Sequence, residues 1–122
     1  MAVTNSGITI TIKLETLEDV ANAFLQKEYG LTLDIPIIRN NRYRRTMGAF
    51  VREYDETTNG YIPSKIEIAG WVLERCHVDA VIDTLKHECV HYALYTLGIP
   101  HSDGQAEFEA ELKRLGITSN YD

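Results

Sequence analysis

Thr84-Leu85-Lys86-His87-Glu88-Cys89-Val90-His91-Tyr92-Ala93 sets the reading of the whole chain. Around it, Val78, Ile82, Leu85, Cys89 and Ala93 recur along one helical stripe. Val90, Leu94 and Leu97 widen that stripe, so the spacing predicts a helix from about His77 that is buried on most sides. Gly98 and Pro100 then stop it. Residues four apart on a helix lie one above the other. His87 and His91 can therefore converge on one tetrahedral zinc ion. Glu88 is turned by about 100° around the axis from His87. It flanks the metal position, where it can take a proton from a water activated by zinc without ligating the ion. Two histidines and a glutamate on an otherwise apolar helix need partners, and a metal is one such partner.

A catalytic zinc takes a third protein ligand and keeps one position open. His101, Asp103 and Glu107 follow within about one helical hairpin. His101 is the commonest ligand type, and it also reads as a loop histidine. Asp103 also reads as a capping or first-turn residue, and Glu107 as a solvated helix position. Ser102-Asp103-Gly104-Gln105 resembles a capping box that opens a last helix. Phe108, Leu112 and Leu115 form the core face of that helix, Gly116 closes it, and Thr118 to Asp122 reads as a frayed tail.

Upstream the pattern is different. Ile8, Ile10, Ile12 and Leu14 alternate with small or polar residues, the period of a half-buried strand. Thr16 offers an N-cap, Leu17, Val20, Ala21, Phe24, Leu25 and Tyr29 follow at helical spacing, and Gly30 stops that helix. Leu33 to Ile38 reads as a short strand, with Pro36 marking an edge or an end. Asn40-Asn41 is turn chemistry. Met47 to Tyr54 and Tyr61 to Ile68 read as paired strands around a polar turn that contains Asn59-Gly60. The middle of the chain is thus expected to be an antiparallel meander. Trp71 is expected to anchor the core between sheet and helix, and His77 to mark a helix start.

The length of 122 residues fits a single domain, 1–122. A 44% apolar content with 25% charged residues is that of a soluble globular chain. No apolar run reaches the ~20 residues that span a membrane, and Met1 to Gly7 has no leader pattern. The expected setting is cytoplasmic, without membrane contact, and monomeric by default. Cys76 and Cys89 are too few for a disulfide framework and read as reduced, buried thiols. The net charge of −6 disfavours whole-surface attraction to nucleic acid. Arg39, Arg42, Arg44, Arg45 and Arg52 nevertheless cluster. Such a cluster can contact DNA phosphates, or pair with nearby acids, or line the edge of an active site. Tyr43 and Tyr54 beside it could stack on bases, although tyrosines on a sheet more often pack.

Over residues 35–116 the chain resembles the SprT-like, or Spartan-like, zinc metallopeptidases. The resemblance rests on Asn41-Arg42-Tyr43-Arg44-Arg45-Thr46-Met47-Gly48 and on Ile66-Glu67-Ile68 ahead of a short helix. It rests also on the His87-Glu88-x-x-His91 helix, on Asp103-Gly104 with Phe108 five residues after Asp103, and on Leu112-x-x-Leu115-Gly116. In that family the third ligand is typically a histidine four or five residues before the phenylalanine. Here Asp103 and Gly104 stand at those positions. Either Asp103 replaces that histidine as an oxygen ligand alongside His87 and His91, or His101 reaches in from two residues earlier; the register favours Asp103. The resemblance implies an α+β, zincin-like domain: an N-terminal helix, a short antiparallel sheet, the His-Glu-x-x-His helix and a C-terminal helix.

It also implies a Zn2+-dependent peptidase with Glu88 as general base and a protein or peptide substrate. Some relatives cut proteins crosslinked to DNA, which would engage Arg39, Arg42, Arg44 and Arg45. This chain lacks the four cysteines that a zinc ribbon of the larger relatives needs. Tyr92, Tyr95 and the arginines are the candidates to hold the oxyanion. The competing expectation is a non-catalytic DNA- or protein-binding module with a structural zinc.

Overall fold

A computed structural model describes residues 2–5 and 8–121, with side chains from Ile12 onward. The readings of Met1–Gly7 as leaderless, of the Ile8 and Ile10 side chains as half-buried, and of Asp122 as tail fall at least partly outside the described residues. An antiparallel hairpin, β1 (Ala2–Asn5) with β2 (Ile8–Thr11), opens the chain.

Helix α1 (Leu14–Tyr29) begins two residues before the expected cap. The carbonyl of Lys13, not the side chain of Thr16, receives the first free N–H groups, those of Thr16 and Leu17. Leu14 thus leaves the strand pattern and joins the helical one. Leu17, Ala21, Phe24 and Leu25 form the buried face of α1.

The central sheet has the order β3-β5-β4. Its strands are β3 (Ile37–Asn40), β4 (Gly48–Asp55) and β5 (Gly60–Ala69). β4 and β5 form the expected antiparallel hairpin, with Asn59 at φ 55 in its turn. β3 differs from expectation in two ways. It starts at Ile37, because Leu33 is occupied elsewhere: its N–H donates to Asn22 Oδ1 on α1. It also runs parallel to β5, so the sheet is mixed rather than a meander. The loop 41–47 carries the chain past β5 to β4, which places β5 in the middle. The carbonyl of Pro36 accepts from Ile66 at 2.9 Å and opens that parallel ladder.

A short helix α2 (Gly70–Arg75) leads into α3 (Val78–Leu97), and α4 (Ala106–Leu115) ends the regular structure. His77 caps α3, its ring accepting from the Asp79 N–H at 3.1 Å. From His87 to Leu94 every residue of α3 is buried. Leu85, Cys89 and Val90 pack with Ile66 and Ile68 of β5, Leu17 and Leu25 of α1, and Phe108 and Leu112 of α4. Each of these leucine, isoleucine, valine and phenylalanine side chains contributes about 1.5–3 kcal/mol through burial. Trp71 is half-buried against this core, and its indole donates to the Thr46 carbonyl. Among the described residues no helix is long and apolar enough to cross a membrane.

Gly48 sets how closely β4 approaches α3. A Cβ there would lie 2.9 Å from Thr84 Cγ2, 3.0 Å from the Glu67 carbonyl and 3.3 Å from Glu88 Cγ. Gly48→Ala must therefore push β4 off α3. We expect a loss of about 1–3 kcal/mol in stability, read by denaturant unfolding. Thr84→Ser, which deletes the nearest methyl, should restore part of it.

Candidate metal centre

The i, i+4 spacing puts both imidazoles on one side of α3, with ring centroids 5.1 Å apart. Each ring is fixed from behind. His87 Nδ1 donates to the Thr118 carbonyl at 2.9 Å, and His91 Nδ1 donates to the His101 carbonyl. That commits the Nδ1 protons and turns both Nε2 atoms toward one point. Phe108 locks the rings sideways, stacked on His91 at 4.0 Å and edge-on to His87 at 5.3 Å. Burial lowers the pKa of His91, which favours the neutral form that ligates metal.

Asp103 meets them from the loop between α3 and α4. Its Oδ1 lies 3.1 Å from His87 Nε2 and its Oδ2 3.4 Å from His91 Nε2. Gly104, at φ +85, turns the chain directly after it, a conformation that side chains other than glycine rarely adopt. The expected capping box is only half formed. Gln105 Oε1 accepts from the Ser102 N–H at 2.8 Å, but α4 starts later, at Ala106. Ser102-x-x-Gln105 shapes the loop that carries Asp103 instead of capping the helix.

His87, His91 and Asp103 place their ligand atoms within 4.8 Å of one another. The donor set fits zinc: two Nε2 lone pairs with their Nδ1 protons already committed, and one carboxylate. His101 offers its carbonyl to this arrangement, while its ring rests edge-on against Tyr95 at 5.2 Å. Glu107 is exposed and outside the group.

Glu88 is 6% exposed. Burial pushes its carboxyl up to about 7; His87 pulls the other way, Asp103 adds to the rise, and a backbone hydrogen bond from Phe50 moderates it. Two cavities meet here, of about 280 and 320 Å³. Gly48, His87, Glu88 and Asn120 line both of them. A family model, the SprT-like family, matches residues 14–121, nearly the whole chain. The chain belongs to the SprT-like family. No match to it was found among curated proteins or among solved structures.

The SprT-like domain uses its C-terminal tail as a wall of the site, contrary to the expectation of fraying. The Gly116 and Ile117 N–H groups bond back to Lys113 and Leu112, a Schellman turn that buries Ile117. From there the Thr118 N–H donates to Asp83 Oδ1 at 3.1 Å while its carbonyl holds His87. Asn120 Nδ2 donates to Asp103 Oδ1 at 3.4 Å. The tail therefore supports two of the candidate ligands. Ending the chain at Ile117 should weaken zinc binding by about 10- to 100-fold, measured by competition with a chromogenic chelator.

Arginines of the SprT-like domain divide by environment. Arg39 is engaged by Glu74 and, at 2.6 Å, by Asn41 Oδ1. Arg42, Arg44 and Arg45 are exposed on the 41–47 loop, and their side chains have no ion-pair partner among the described residues. Tyr43 and Asn40 brace this loop by donating to the buried Glu67 carboxylate at 2.7 and 3.0 Å. Tyr43 therefore has a packing role, and burial, then the Glu67 bond, pushes its hydroxyl up to about 12. Tyr54 pairs edge-on with Tyr61 across the hairpin, at 5.7 Å.

Of the oxyanion candidates, Tyr92 donates to Asp34 and Tyr95 to the Tyr61 carbonyl, both away from the triad. Arg52 and Arg45 each line one of the two cavities. Cys76 and Cys89 are both free, and burial pushes the Cys89 thiol up to about 12, the signature of a core residue. The Phe108 clamp, the Thr118 and His101 carbonyls and the Glu67 brace had no separate signal in the sequence. Only the Gly116-Ile117 pair announces the turn that starts the tail.

Proposed function

We propose that this chain is a zinc-dependent peptidase, with His87, His91 and Asp103 holding the metal and Glu88 acting as general base. One observation carries the reading: the buried Glu88 carboxyl sits beside a three-donor group, where two open cavities meet. When bound, zinc supplies Lewis acidity that acidifies a water and polarises the scissile carbonyl. Glu88 takes the proton of the attacking water and returns it to the leaving amine. The backbone carbonyls of Thr118 and His101 keep the imidazoles oriented throughout.

β4 is an edge strand, and Gly48, Ala49, Phe50 and Arg52 line the cleft. An extended peptide would add to that edge as a further strand. A structural zinc site is closed by four protein ligands, whereas three donors beside an open cleft suit catalysis. Arg42, Arg44 and Arg45 would contact phosphate where the substrate is associated with DNA. The test begins with zinc content per chain, from protein purified without chelator or metal-affinity tag. About one zinc per chain is expected, together with cleavage of an unfolded protein, assayed with and without single-stranded DNA. No zinc bound, and none taken up when supplied, would overturn the reading.

A further inference from the structure

Beyond the triad, helix α3 continues the same stripe. Tyr95 follows His91 by one helical turn, as His91 follows His87. Its hydroxyl donates to the Tyr61 carbonyl at 2.8 Å, and its ring is packed by Phe50 at 5.9 Å and His101 at 5.2 Å. Arg52 lies over this ring, its guanidinium carbon 5.5 Å from the centroid. A shift in strand register between Val51 and Arg52 accompanies that placement, and bulges of this kind re-aim side chains next to active sites. No carboxylate among the described residues pairs with Arg52. The acids lining its cavity are Glu88 and Asp103, both part of the centre itself. The other cavity is mixed in charge, with Arg45 and Asp83 in its lining.

We propose that Arg52 on its Tyr95 platform is a specificity-determining site for a carboxylate side chain of the substrate, on one side of the scissile bond only. The proposal rests on the peptidase reading above and names the substrate class: extended chains with Asp or Glu near the cut. Spacing sets the position. Tyr95 lies about 6 Å along the helix from His91. Same-face side chains of an extended peptide repeat at about 6.6 Å. The carboxylate therefore belongs about two residues from the scissile bond. An arginine lying over an aromatic ring presents its planar donors for bidentate contact.

Binding tests this without turnover. The full-length Glu88→Gln chain is titrated with fluorescein-labelled decapeptide pools of Ala, Leu and Ser that carry a single Glu, Gln or Lys at each position in turn. The Glu pool should bind at least about 5-fold more tightly than the Lys pool. Arg52→Gln should bring the ratio close to one, and Arg52→Glu should reverse it. Equal binding of the three pools, or none, overturns the proposal. Displacement of the Glu pool by a thymidine oligonucleotide only when Arg52 is present would assign the site to phosphate and overturn it too. Hydrolysis of the same pools by the unmodified chain is scored separately. A chain that selects Glu but cleaves nothing sinks the peptidase reading alone, and a chain that cleaves but does not select sinks only the role of Arg52.

Discussion

Glu88→Gln is expected to lower kcat/KM for peptide hydrolysis by about 10²- to 10⁴-fold, the usual share of a general base, with zinc content unchanged. The residue does not belong to the three-donor group, so the metal should be retained. Glutamine keeps the shape of the side chain and cannot take the proton. A domain that uses zinc only as a staple would keep its activity in this variant. The substitution thus separates a peptidase from a binding module, by steady-state kinetics alongside elemental analysis.

The same substitution should raise stability in the zinc-free chain, and the sign follows from linkage. Burial raises the Glu88 carboxyl from 4.5 to about 7, so the folded state binds this proton more tightly than the unfolded state. The contribution of Glu88 to stability is therefore full below pH 4.5 and lost as pH rises through about 7. Glutamine has no such loss. In chelator at pH 8, Glu88→Gln should melt above the parent chain, and the gap should narrow toward pH 5. A Tm difference that does not change with pH would show that the carboxyl is not desolvated as the geometry requires.

The helices and the hairpin were legible because their signals are local. The apolar stripe of α3, the glycines at 30, 98 and 116, and the Asn59-Gly60 turn each act within a few residues of themselves. The pairing of β3 was not legible. Ile37 and Ile38 read as strand in either direction, and only the path of the 41–47 loop decides that they run parallel to β5. The candidate site was legible in its ligand types and not in its supports. An imidazole at i and i+4 has a pattern, whereas a backbone carbonyl such as that of Thr118 has none. The tail shows the boundary well. Gly116-Ile117 encodes a turn with a buried residue after it, which argues against fraying, but nothing local says that the next carbonyl faces His87.

The second large effect concerns the third ligand. Asp103→Ala is expected to cut zinc affinity by at least about 100-fold, because on the proposed reading it removes one of only three protein donors. His101→Ala should change affinity by less than about 3-fold, since His101 meets His91 through its carbonyl, which the substitution preserves. The asymmetry is what the geometry demands. Asp103 oxygens lie 3.1 and 3.4 Å from the two imidazole Nε2 atoms, while the His101 ring is held against Tyr95 and faces Arg52. Burial, and then Arg52, lower the pKa of that ring. Asp103→His, which restores the residue type typical of the family at this register, should bind zinc and keep part of the activity. Its loop would have to accommodate a longer ring beside Asn120. The reverse ranking, with His101→Ala losing the metal and Asp103→Ala keeping it, would overturn Asp103 as the third donor and assign that place to His101.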